Sequence, residues 1–197
     1  MLTSINLKES ENIPSGDKGR IHPHKFTMWV AIASMLMLFA GLTSAYIVKS
    51  SQDSWVGVHT PNQFLYSTLV ILLSSVTMQM AYRAFKQKEM SRYRTLITLT
   101  MILGILFVLL QWLGFQWMWN NNVRFNGAGA GQFLYVIAGL HAVHVIGGII
   151  ALIIIVIKAF FGKIKNYNSV PVDIMKTYWH FVDLLWLYLL VFFIWLG

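Results

Sequence analysis

The sequence predicts an all-α membrane protein with five transmembrane helices, its N-terminus cytoplasmic and its C-terminus outside. Three observations carry this reading. Of the 197 residues, 57% are hydrophobic and only 11% are charged, whereas soluble domains run at about 25% charged. Five long apolar stretches, at roughly 26–48, 64–82, 96–119, 132–157 and 178–196, take up more than half the chain. The 15 basic residues fall as four, one, five, one, four and none before, between and after these stretches. The positive-inside rule demands that alternation of five crossings that begin in the cytoplasm.

The same composition excludes other classes. Low hydrophobicity with high charge marks disorder, and this chain shows the reverse. The absence of Cys removes disulfide frameworks, thiolate metal sites and cysteine nucleophiles. The net charge of +8 is read as cytoplasmic loop bias, and no nucleic-acid partner is expected.

Residues 1–24 form a polar cytoplasmic tail that carries Glu9, Glu11 and Asp17 among its charges. It lacks the apolar core of a secretory signal. The membrane domain is expected over 25–197. Each apolar stretch meets the ~20 residues needed to cross a hydrocarbon core, and lipid leaves a helix as the form that satisfies its own backbone. The first stretch holds the small-xxx-small pairs Ala40/Ser44 and Gly41/Ala45, which suggest a tight helix contact. The second follows Pro61 and Asn62. The third holds Gln111, a side chain expected to bond a neighbouring helix, and ends in Trp112, Trp117 and Trp119. With Trp55 and Trp195 these mark outer interfaces, while Tyr178 and Trp179 mark an inner one.

The fourth stretch places His141 and His144 at i, i+3, with Gly148 and Ala151 continuing the same stripe. The fifth places His180 and Asp183 at i, i+3, close enough to pair. Charged residues inside a span are rare and usually functional. Read structurally, these side chains form a polar seam between helices four and five. Read functionally, Asp183 is a proton-transfer or transport group, or His141 or His144 joins His180 as axial ligands of a b-type haem. Neither histidine of the fourth stretch has the Glu of a zinc hydrolase motif beside it. The 10 Met residues show no copper-binding pattern and are read as packing.

The segment Tyr178-Trp179-His180-Phe181-Val182-Asp183, followed by Leu184-Leu185-Trp186-Leu187, resembles the signature of subunit III of the haem–copper terminal oxidases. The stretch from Gly139 through His141 and His144 to Gly148 is similar to that family's penultimate helix. Leu109-Leu110-Gln111, the Ser34…Phe39…Gly41 region and Pro61-Asn62 fit in the right order. The resemblance covers roughly residues 22–197 and matches the five-helix form. It implies a cofactor-free accessory subunit of a proton-pumping cytochrome c oxidase, with a quinol oxidase as the alternative. Haem and copper would lie in partner subunits I and II, and a respiratory supercomplex is a further setting. It implies bound phospholipid, support of the catalytic subunit and of proton uptake, and a multi-pass position in the bacterial inner membrane. His141, His144, Trp179, His180, Phe181, Asp183 and Trp186 would be a structural polar network and family signature. Gly41, Ala45 and Gly148 would serve helix packing, and Lys163 and Lys165 would contact lipid phosphates. Met35 stands after Ser34, and Gly114 and Phe115 after Gln111, where many members carry carboxylates. Proton roles tied to those acids therefore do not carry over.

Overall fold

The computed structural model describes residues 23–51, 62–121, 130–161 and 169–196. These form five helices: α1 (Pro23–Ser50), α2 (Asn62–Lys86), α3 (Met90–Asn120), α4 (Ala130–Phe161) and α5 (Val170–Leu196). Each is long and apolar enough to cross a membrane. Each also extends past its apolar stretch, because a helix closes its own backbone bonds in polar surroundings as readily as in lipid. The extension is greatest in α5, which begins at Val170 and not near 178. Pro171 sits in its first turn, where a missing N–H costs nothing.

The crossings alternate in direction. Lys25 pairs with Asp173 at one end, and the Tyr46 hydroxyl donates to the Leu196 carbonyl at the other, so α1 and α5 run parallel. Trp179 meets Ser74 while Trp186 meets Thr68, so α2 runs against α5. Arg94 bonds the Ala159 carbonyl at one end of the α3–α4 pair and Tyr135 the Phe115 carbonyl towards the other, which makes that pair antiparallel too. The α2–α3 turn therefore shares one end of the bundle with the starts of α1 and α5.

α5 is the central helix. Half of its most apolar window is buried, against 28–39% for the others. It packs on α1, α2 and α4. Among the described residues, α1 touches α4 and α5 and neither α2 nor α3. The core is aromatic, with Trp179, Trp186, Phe39, Tyr46, Phe64, Phe107 and Phe193 almost wholly enclosed. Large apolar side chains such as Met37, Leu69, Val143 and Val191 cover the outside, the arrangement a lipid solvent favours. The small pair Gly41 and Ala45 lies on this outer surface. A Cβ on Gly41 would meet nothing within 4 Å, so among the described residues the tight contact expected there is not made. The small-residue pattern marks a close approach without saying whose helix approaches.

Candidate functional site

Lipid tails are as apolar as Leu, so helices here associate through packing and interhelical hydrogen bonds. Among the described residues, α2 supplies such bonds to both α5 and α3. α2 carries hydroxyls at 67 and 68 and again at 74 and 75, two turns apart. α5 presents Trp179 and Trp186, also two turns apart. The Trp179 indole N–H donates to Ser74 Oγ at 3.1 Å, and the Trp186 N–H to Thr68 Oγ1 at 3.0 Å. Each hydroxyl passes its own proton on, Ser74 to the Thr100 carbonyl and Thr68 to the Phe64 carbonyl. Gln111 Nε2 of α3 donates to Ser67 Oγ at 3.0 Å. Ser67 in turn donates to the Phe64 carbonyl, so the hydroxyls of Ser67, Thr68 and Ser74 each donate once and accept once.

Trp179 fits because two neighbouring helices lack side chains at its edges. A Cβ on Gly104 of α3 would lie 2.9 Å from the ring, and one on Gly148 of α4 would lie 3.1 Å from it. Tyr178 beside it donates from its hydroxyl to the His144 carbonyl at 2.8 Å. Phe181 is half-buried against the same core.

The histidines and the acid fall in separate surroundings. His141 is 1% exposed, and neither ring nitrogen has a hydrogen-bond partner. Its ring stacks on Trp186 with centroids 5.2 Å apart and meets the edges of Phe107 and Phe39. His144 is half-buried, with Nδ1 2.7 Å from the Leu140 carbonyl one turn back. A carbonyl accepts, so Nδ1 carries that proton. His180 is held by α2, with Nδ1 2.6 Å from Ser75 Oγ and Nε2 3.4 Å from Gln79 Oε1.

His180 and Asp183 share a face of α5 but do not bond each other, which corrects the direct pair the i, i+3 spacing suggested. Ser75 of α2 stands between them. Its hydroxyl bonds the imidazole and faces the Asp183 carboxyl. The carboxyl is 4% exposed, and neither oxygen completes a hydrogen bond. Both nitrogens of His180 are occupied by α2, so it presents no free axial donor to a haem. Among the described residues, no three His, Asp or Glu side chains converge as metal ligands.

At the α5 start, Asp173 pairs with Lys25 of α1 and lies 3.6 Å from Lys176. The Lys176 ammonium sits 3.9 Å from the centre of the Tyr82 ring, joining α2 to the same corner. Lys163 and Lys165, and the tail up to residue 22, lie outside the described residues. The residues that sequence reasoning missed are the α2 partners Thr68, Ser74, Ser75 and Gln79. The hydroxyls at 67, 68, 74 and 75 repeat at the interval of the two tryptophans, but that repeat alone does not tell a bond to α5 from a bond to the helix's own preceding carbonyls.

The geometry defines a class, a helical integral membrane protein whose buried polar groups join its helices to one another. Comparison with known proteins gives the family. The model of cytochrome c oxidase subunit III matches residues 21–197, and the chain belongs to that family. A Mycobacterium tuberculosis protein named "Probable cytochrome c oxidase subunit 3" is 30% identical over 163 residues, 80% of each chain. The Corynebacterium diphtheriae "Cytochrome c oxidase subunit 3" is 27% identical over 169 residues, 82% of each. An Aeropyrum pernix "Heme-copper oxidase subunit I+III" is 30% identical over 175 residues, 81% of this chain and 21% of that one. The family ties this multi-pass membrane protein to the haem–copper oxidases of the respiratory chain.

Proposed function

We propose that this chain is a cofactor-free accessory subunit of a proton-pumping cytochrome c oxidase in a bacterial plasma membrane. It steadies the catalytic subunit, while haem and copper reside in subunits I and II. The observation that carries this reading is the enclosure of the family's signature residues. Trp179, Asp183, Trp186 and His141 are almost wholly buried inside the bundle, and the two tryptophans bond α5 to α2. The subunit I partner is supported by the Aeropyrum pernix relative, whose name joins I and III in one chain.

The test is a reduced-minus-oxidised optical spectrum of the affinity-tagged chain, taken in mild detergent and again after its partners are stripped. A haem signal that leaves with the partners agrees with the proposal. A signal that stays with the stripped chain means that these histidines ligate haem, and the proposal fails. Within the same reading, Asp183→Ala loosens attachment to the complex more than it slows turnover of intact complex. Normal assembly with selective loss of pumping would count against that role. Lys163 and Lys165 are proposed to hold lipid phosphate. Replacing both by Gln should reduce the phospholipid that co-purifies, as read by mass spectrometry.

A further inference from the structure

α5 carries Asp173, Lys176, His180 and Asp183 at i, i+3, i+7 and i+10, which places all four on one face. α2 runs the other way and answers with Tyr82, Gln79 and Ser75, also three and four apart. The two rows meet rung by rung. Tyr82 faces the Asp173 carboxylate and lies under the Lys176 ammonium. Gln79 and Ser75 hold the two nitrogens of His180, and Ser75 also faces Asp183. From Asp173 to Asp183 the rise is about 15 Å, roughly half of a ~30 Å hydrocarbon core. Asp173, Lys176 and His180 are partly exposed, and Asp183 is buried. Beyond Asp183 the face continues as Leu187 and Leu190, so the polar row is open at one end and closed at the other. Both Asp183 oxygens lack a protein partner, and buried polar atoms in that position ordinarily bond water.

Hydrogen-bond roles give the row a direction. Gln79 Oε1 is a carbonyl oxygen and can only accept, so His180 Nε2 carries a proton. A neutral imidazole then has a bare Nδ1, which accepts from Ser75 at 2.6 Å. The serine oxygen keeps lone pairs for a donor, and the group it faces is the Asp183 carboxyl. An ionised carboxylate has nothing to donate, whereas the acid does. One arrangement therefore runs from the Asp183 O–H to Ser75, and from the Ser75 O–H to His180 Nδ1. In the other, each proton has moved one place. The carboxyl O–H and the serine O–H break, and a new serine O–H and an Nδ1–H form. The net change is one proton passed from Asp183 to His180, with Ser75 restored and Nε2–H still on Gln79. The other titratable side chains around the pair are engaged elsewhere. Lys25 of α1 pairs with Asp173, and Lys176 and Lys86 lie over Tyr82. On α4, His141 stacks on Trp186 and His144 bonds its own helix.

We propose that Asp183, Ser75 and His180 form a proton-binding site at the closed end of a water-lined inlet along the α2–α5 seam. The proton enters and leaves at the Asp173–Lys176 end, and Leu187 and Leu190 stop it from crossing. The site stores a proton and does not conduct one across the membrane. It rests on the fold of this chain and not on the oxidase reading, which the haem spectrum of the same sample tests separately.

The test is infrared spectroscopy of the full chain with its co-purifying partners, held in lipid nanodiscs and transferred from light to heavy water. The expected result is a protonated-carboxyl band that is absent in Asp183→Asn. In the unmutated protein this band should shift well before the α5 amides exchange, since those wait for the helix to open. Ser75→Ala removes the bridging oxygen and should slow the shift about a hundred-fold. Ser75→Thr should restore it. Ser67→Ala, which removes an α2 hydroxyl bonded to α3, should leave the rate unchanged. No band lost in Asp183→Asn would mean that the acid holds no proton. A rate that ignores Ser75→Ala, or falls equally with Ser67→Ala, would make the seam a structural contact only. Either result overturns the proposal. The unmutated protein gives a second check. Hydroxyl radicals made from water by an X-ray pulse should oxidise His180 and leave His141 untouched. Absence of label at His180, or equal label at both, refutes the inlet whether or not the variants fold.

Discussion

The slot around Trp179 makes two glycines as informative as the tryptophan. The ring is rigid and held by its N–H bond to Ser74, so it cannot move away from a new methyl. Gly104→Ala, with its Cβ 2.9 Å from the ring, should destabilise the protein by about 1–3 kcal/mol, read as a lower thermal midpoint in detergent. Ser74→Ala leaves the buried indole N–H without its acceptor and should cost about 1–2 kcal/mol by the same measurement. At Gly41 a Cβ meets nothing, so Gly41→Ala should leave the midpoint of the isolated chain unchanged. Residue types alone gave part of this site. Gln111 was legible because a buried amide must find a partner, and it bonds Ser67. Ser74 and Ser75 were not, because Ser and Thr inside a helix commonly bond their own preceding carbonyls and give no sign of reaching a neighbour. The His180–Asp183 spacing was legible, but the serine of another helix that separates them was not.

At the scale of elements, the number of the helices was readable from apolar length, since that length is set by the bilayer. Their ends were less readable, because hydropathy reports where lipid is and not where the backbone stops being helical. The tight α2–α3 turn shows this. It closes through Lys88 N–H to the Phe85 carbonyl and Glu89 N–H to the Ala84 carbonyl. Lys88 adopts a φ of 61°, a left-handed conformation that costs a side-chain-bearing residue about 1–2 kcal/mol. Lys88→Gly should therefore raise the thermal midpoint, corresponding to about 1 kcal/mol. A fall would mean that the Lys88 side chain contributes more than its backbone strain removes.

For the whole molecule, the order of attachment is uneven. α2 and α3 are joined by a short turn and pack along their length, whereas among the described helices α1 is held by α4 and α5. Its fastenings include the Lys25–Asp173 pair at one end, the Tyr188–Thr43 bond (3.1 Å) and the Tyr46–Leu196 bond at the other. Combining Lys25→Gln with Tyr188→Phe should raise amide exchange in α1 more than in α2 or α3. Uniform exchange across the five helices would contradict this division. Because the chain lacks Cys, a Lys25→Cys, Asp173→Cys pair gives an independent check. A short bismaleimide should bridge them within one chain if α1 and α5 start at the same end.

The placement of α1 also has a consequence for synthesis. α1 ends at Ser50 and its chief neighbour α5 starts at Val170. At ~5–20 residues per second, the ribosome takes on the order of ten seconds to make what lies between. α2 and α3 can close on each other well within that interval. The first helix into the bilayer is therefore among the last to dock, and until then Thr43 and Tyr46 wait in lipid without their α5 partners. A nascent chain arrested before α5 should hold α1 loosely enough for insertion machinery or a partner subunit to occupy the vacant face.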